Sequence, residues 1–216
     1  MVKKFLLISV LLISLEEAKG QLIYGVKAGA NINTINTYLD GAPSWVDFDD
    51  NVESSVGFHA GLFLVVDLSK KFSFRPEIEY IQKGVRDSGY PSVNIPSYKI
   101  TVSYIQVPVI FSYKIFNKLC VEAGPGFGYL ISSKSDSDLT TFPAETYTVK
   151  LEVSVLGGFR YTLFQKIDVI ARYSLGLSNI QDSMYYAQNP ETSEIIGFES
   201  VAKNGVLSFS IAYSFK

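Results

Sequence analysis

Glu77 and Glu79 stand two residues apart. Two carboxylates at that spacing share one face of an extended chain, close enough for acid–base work. Arg75 and Lys83 fall on the same face, so the four also read as part of a charge network that must pair if it is buried. That structural reading is preferred. His59, the single histidine, could serve as a general base for a nucleophilic Ser73; no further residue marks the pair as a site. Cys120 is the single cysteine. It excludes an intrachain disulfide and reads as an inert inward-facing thiol. Gly124, Gly126 and Gly128 superficially suggest a phosphate loop, but the spacing is too tight, Pro125 intervenes and no helix follows. Small residues at alternate positions make room for large neighbours such as Tyr104 or Arg160. No catalytic residue, cofactor site or metal site is predicted.

The composition narrows the setting. The chain has 216 residues, 47% hydrophobic and 19% charged, with a formal charge of −2. That excludes a disordered or disulfide-dense protein and leaves no basic footprint for nucleic acid. Residues 1–20 carry a basic start, the apolar run Phe5–Leu15, and Ala18 and Gly20 two apart. This order reads as a signal peptide cut before Gln21, which leaves one domain over 21–216. The run is too short for a transmembrane helix, which needs about 20 apolar residues.

Beyond residue 20 the chain alternates with period two, the signature of half-buried strands. Eight segments carry the alternation, with apolar series starting at Leu22, Val56, Phe72, Ile105, Leu119, Tyr147, Ile167 and Leu207. Each is about 10 residues long, the span of a tilted membrane-crossing strand. Backbone groups in lipid must all be paired, so such strands have to close into a barrel. Three connections are tight (Asp67–Lys71, Phe116–Lys118, Phe164–Gln165). Four are long (Asn33–Ser55, Val85–Tyr98, Ser132–Glu145, Ser178–Asn204). Short turns on one side and long loops on the other are the outer-membrane pattern. The expected fold is an all-β, eight-stranded antiparallel up-and-down transmembrane barrel with four extracellular loops and three periplasmic turns. A soluble lipocalin-like barrel would also alternate, with its apolar face inward around a ligand.

Three features favour the membrane version. The polar faces carry both signs: Lys27, Arg75, Lys83, Lys114, Lys150, Arg160 and Arg172 against Glu77, Glu79, Glu122, Glu152 and Asp168. These twelve are expected to fill the lumen of a narrow barrel, leaving no continuous solute channel. Aromatics on the apolar face fall into two belts, with Phe72, Phe74, Tyr113, Tyr161, Tyr213 and Phe215 at the periplasmic level and Tyr80, Tyr129 and Tyr147 at the outer level. The chain also ends on an apolar-face aromatic, Phe215, before Lys216. Pro108 faces the lumen and predicts a bulge or local irregularity.

Four motifs resemble a known family. They are Gly25-Val-Lys-Ala-Gly-Ala-Asn31, Phe74-Arg-Pro-Glu-Ile-Glu-Tyr80, Tyr104-Ile-Gln-Val-Pro-Val109 and Glu122-Ala-Gly-Pro-Gly-Phe-Gly128. In order, across residues 21–216, they look like the small outer-membrane β-barrel proteins of Bacteroidota, the PorT-like or "porin family" group. The resemblance implies an eight-stranded barrel in the outer membrane of a Gram-negative bacterium, mostly without known activity. The expected partners are outer-membrane lipid and lipopolysaccharide, the barrel-assembly machinery, and an envelope protein; the barrel itself reads as a monomer. The expected function is non-enzymatic: structural, adhesive or surface-interacting. The alternatives are an accessory barrel of a secretion or gliding machine and, less favoured, a lipid-modifying enzyme using His59 or a soluble ligand-binding barrel. Two acidic loops are the candidate interaction sites. The first holds Trp45, Asp47, Asp49 and Asp50. The last holds Tyr185 and Tyr186. Their spacing matches no calcium-loop template.

Overall fold

A strand with apolar residues at alternate positions can turn one side to lipid and close the other over polar side chains. In the computed structural model, which describes residues 22–43, 52–87, 98–137, 141–143, 149–180, 183–189 and 192–215, those runs form strands. The predicted signal peptide lies outside the described residues, as do Trp45, Asp47, Asp49, Asp50 and Tyr147. The strands are β1 (Ile23–Asp40), β2 (Val52–Asp67), β3 (Phe72–Asp87), β4 (Tyr98–Phe116), β5 (Leu119–Ser137), β6 (Thr141–Pro143), β7 (Leu151–Phe164), β8 (Ile167–Gly176), β9 (Ser183–Gln188) and β10 (Ile195–Ser214).

Eight of them pair in the order β1-β2-β3-β4-β5-β7-β8-β10, and β10 returns to β1. The closing seam runs from Gly25↔Ser214 to Asp40↔Glu199, antiparallel throughout. Closure leaves no edge within the lipid, where an unpaired backbone group would cost several kcal/mol. β6 adds to β5 and β9 to β10, both at the outer end. No helix of the described residues is long and apolar enough to cross a membrane.

The face assignment follows the alternation. On β7 the lipid-side residues Leu151, Val153, Val155, Phe159 and Tyr161 are exposed, while Glu152, Ser154 and Leu156 are buried. Aromatic pairs mark both rims. Phe72–Tyr113, Phe74–Phe111 and Tyr24–Phe215 sit near the turns, with centroids 4.9, 5.4 and 5.7 Å apart. Phe58–Tyr80, at 5.6 Å, lies toward the other end.

The four long connections are shorter than the sequence implies. Strand pairing continues into each: β1 runs to Asp40, β3 to Asp87 and β5 to Ser137, while β10 begins at Ile195. Period two fades from the sequence there, yet the backbone groups still pair, and Val85, Phe198 and Ala202 stay buried on the inner face. β10 has 20 residues; at a rise of about 3.3 Å and a tilt of about 40° it climbs about 50 Å, twice the height of an apolar band of about 25 Å. β8, with 10 residues, only spans the band. The barrel wall therefore stands well above the membrane on one side and is low over β7 and β8.

Proline and glycine shape the ladder locally. Around Pro108 the β3–β4 and β4–β5 pairing is interrupted without a change of register. The register shifts on β4 lie instead at Ser103/Tyr104 and Lys114/Phe116, so Pro108 makes an irregularity and not a bulge. A Cβ added at Gly124 would sit 1.9 Å from the Val109 backbone oxygen, whereas one at Gly128 would sit 3.3 Å from Cδ1 of Tyr104. Gly124→Ala should therefore cost about 1–3 kcal/mol and Gly128→Ala less than about 1 kcal/mol. Urea unfolding of the refolded barrels checks the order.

Candidate functional site

The lumen holds the chemistry-bearing residues. β3 supplies Arg75, Glu77 and Glu79 at alternate positions, so all three point inward. They are 0%, 3% and 5% exposed. Glu77 is the hub. It pairs with Lys27 of β1 and accepts from Arg75 Nε at 2.8 Å. It also takes a two-pronged contact from Arg172 of β8, Nη1 at 2.9 Å and Nη2 at 2.8 Å. Arg172 reaches on to Glu122 of β5, with Nε 2.8 Å from Oε2. Glu122 also accepts from Arg160 Nε at 2.8 Å and from the Ser112 hydroxyl at 3.2 Å. Arg160 Nη1 lies 3.3 Å from Asp168, which also accepts from the Thr162 hydroxyl at 2.7 Å. Lys27 lies 2.6 Å from Glu79 as well. Arg75 stacks on the Phe63 ring, 3.8 Å from its centroid.

A second pair lies further out. Lys83 Nζ donates to Glu152 at 2.7 Å, beside the Tyr104 ring, and Asn204 Nδ2 donates to Glu152 at 3.0 Å. Above it lies an apolar cluster of Ile81, Val102, Tyr104, Ile180, Ala202 and Val206. Ile180 follows β8 and folds in over the low side of the wall. Its amide donates to the Ala202 carbonyl at 3.0 Å, and Asn179 Oδ1 accepts from the Ala202 amide at 2.9 Å. At the other end Phe63, Val65, Ile170 and Ala212 form a smaller cluster.

Two of the twelve expected lumen charges stand outside this network. Lys114 is exposed at the periplasmic mouth, next to the turn after Phe116. Lys150 is exposed because β7 starts at Leu151, not at Tyr147, so Lys150 precedes the strand. The correction leaves Lys27, Arg75, Lys83, Arg160 and Arg172 against Glu77, Glu79, Glu122, Glu152 and Asp168, five charges of each sign. A region this dry tolerates charge only when it is paired and hydrogen-bonded.

His59 and Ser73 are not brought together. His59 faces the lumen, 2% exposed, with Nε2 2.7 Å from Ser210 Oγ and Nδ1 3.3 Å from Asn31 Oδ1. It lies opposite Ile81 in the β2–β3 register, eight residues along β3 from Ser73, a separation of about 26 Å. His59 instead joins Ser210 and Asn31 in a serine–histidine–asparagine chain that is buried in the lumen. Cys120 is buried at the periplasmic end.

Outside the lumen, the outer wall ends in the hairpin of β9 and β10. Its register runs from Ile195↔Gln188 to Ser200↔Ser183. Met184, Tyr186 and Ile195 are 54%, 67% and 70% exposed there. Tyr185 belongs to the β9 backbone. Among the described residues β9 pairs only with β10.

A closed, lipid-faced barrel with a dry charged interior limits the families that fit. The family model described as outer membrane protein beta-barrel domain matches residues 16–182. The chain belongs to that family. It is a protein of the Gram-negative outer membrane. Neisserial surface protein A (NspA) has a similar fold, at 15% identity and a TM-score of 0.51, covering 89% of this chain and 97% of NspA. Ail, the attachment invasion locus protein of Yersinia pestis, aligns at 12% identity and a TM-score of 0.46, covering 90% of this chain and 99% of Ail. No curated protein matches the chain.

Sequence reasoning missed three parts of this outer membrane barrel. Ile180 sits in what reads as a loop, and nothing in its local pattern announces a cap. The Asn31–Asn33 bond of 2.6 Å joins neighbours on one strand face, and that spacing was visible. The β9 hairpin carried the weak alternation Met184, Tyr186 inside the last long connection.

Proposed function

We propose that this protein is a non-enzymatic surface-interaction barrel, in which the paired lumen charges hold the cylinder closed and the raised outer wall meets a partner. The observation that carries the reading is the β9–β10 hairpin. It sets exposed Met184, Tyr186 and Ile195 beside a strand edge that pairs with no other described strand, on the side of the barrel that stands clear of the membrane. Exposed apolar and aromatic side chains beside unpaired backbone are the features of a strand-addition surface. The four ordered motifs support placing the chain in the PorT-like group of Bacteroidota.

The test is a photo-crosslinking residue placed at Tyr186 in whole cells. The expected result is a discrete crosslinked species, lost on Ile195→Ser, while the heat-dependent electrophoretic mobility of the barrel is unchanged. A folded barrel that yields no crosslinked species overturns the reading. Crosslinks to other envelope proteins would make the barrel an accessory of a larger machine; crosslinks formed only when other cells are added would make it an adhesin.

A further inference from the structure

An apolar groove of about 520 Å³ runs over the outside of the barrel wall where β7, β8 and β10 meet. Strand pairing explains its shape. On the lipid face Ala171 of β8 stands between Phe159 of β7 and Phe209 of β10, and Val169, the next outward residue, stands between Tyr161 and Ile211. Phe159 and Phe209 are 55% and 52% exposed, while Ala171 and Val169 are half-buried between their neighbours. Large side chains on two strands thus form the walls, and smaller ones on the strand between them form the floor.

The groove leads to cations. Following β8 from Ala171 towards its turn reaches Lys166, five residues away. At a rise of about 3.3 Å and a tilt of about 40° that is about 13 Å in height, within the hydrocarbon half of one leaflet, about 15 Å deep. Lys166 Nζ donates to the Phe215 carbonyl at 3.4 Å, which keeps the ammonium beside the periplasmic aromatic belt. Lys118 stands at the foot of the opposite wall, its carbonyl accepting from the Thr162 amide of β7 at 2.8 Å. Both lysines are exposed. Asp168, the carboxylate nearest to Lys166 in sequence, points into the lumen, where Thr162 and Arg160 hold it.

We infer that this face seats one glycerophospholipid of the inner leaflet, with an acyl chain in the groove over Ala171 and its phosphate between Lys166 and Lys118. Within lipid, apolar surface gains little from burial alone, so a chain is held by the contacts it makes. A groove touches the chain on three sides where a flat wall touches it on one. The lysines lie at the level of the headgroup, where a phosphate complements them. A second copy of the barrel fits less well. It presents a convex wall that would span the ridges above the floor, and a two-fold axis along the membrane normal would set Lys166 and Lys118 of both copies at one level.

The test is native mass spectrometry of the mature barrel released from octyl glucoside micelles during titration with phosphatidylglycerol. The expected result is one phospholipid retained per barrel, saturably. Ala171→Phe, which fills the floor, should weaken retention about tenfold, the loss of about ten atom–atom contacts. Lys166→Gln should weaken it about threefold, as an exposed charge pair allows. Val155→Phe, on the lipid face outside the groove, should leave it unchanged. Heat-dependent mobility verifies that each variant is folded, and Lys166→Gln, in a turn, still reports if Ala171→Phe does not fold. Retention that neither substitution weakens, retention that Val155→Phe weakens equally, or a lipid-free dimer that Ala171→Phe disperses overturns the proposal.

Discussion

Glu77→Gln should lower the unfolding free energy of the barrel by about 3–5 kcal/mol, the range for removing one partner of a buried ion pair. The substitution keeps the shape and an acceptor oxygen but removes the charge that Lys27, Arg75 and Arg172 share. Lys27 retains Glu79, and Arg172 retains Glu122. Arg75 loses the only carboxylate that accepts a hydrogen bond from it, and Asp168 at 3.9 Å is too distant to replace it. The lumen is left with one excess cation. Arg75→Ala alone should be milder, because Glu77 keeps Lys27 and Arg172. The measurement is urea unfolding in lipid vesicles for wild type, Glu77→Gln, Arg75→Met and the double variant. Neutrality returns in the double variant, which should recover more than half of the Glu77→Gln loss. Strictly additive losses would mean that packing, not charge balance, sets the cost.

Val155→Arg should cost about 2–4 kcal/mol, since a charge at mid-depth on the lipid face has nothing to pair with. Val155 is 49% exposed and pairs with Pro125, near the centre of the β5–β7 ladder that runs from Leu119↔Tyr161 to Tyr129↔Leu151. Val153→Arg should cost less, falling toward about 0–1 kcal/mol as the side chain reaches the interface. The difference follows from the start of β7. Counting the strand from Tyr147 makes Val153 central, but the strand begins at Leu151, and Val153 pairs with Phe127 only two residues from the Tyr129↔Leu151 end of the ladder. Unfolding in vesicles of fixed thickness reports both variants. Equal and negligible losses would mean that this face meets water.

The inside and outside of this barrel were legible residue by residue, because lipid and a polar lumen impose opposite demands on successive side chains. That is why His59, Arg75, Glu77 and Glu122 could be placed inward, and Val155, Phe159 and Tyr213 outward, from alternation together with the two-signed charges of the polar face and the aromatic belts of the apolar one. The rule weakens where its cause does. Above the membrane the outer face no longer meets lipid, and the continuation of β1, β3, β5 and β10 left no clear periodic trace in the sequence. At the strand ends, Lys114 and Lys150 kept the correct parity and still escaped burial, since parity gives a face and not a depth.

Pairing within the lumen was a tertiary matter. Glu77 meets Arg172 across a separation of 95 residues, through a register that depends on every intervening turn. The unequal heights of β8 and β10, the Ile180 cap and the groove over Ala171 have the same origin. Local composition determined that this chain alternates, closes and faces lipid, since those properties follow from the solvent on each side of a strand. Only the closed cylinder decided which charge meets which, because distance across a barrel is set by stagger and curvature that no single strand contains.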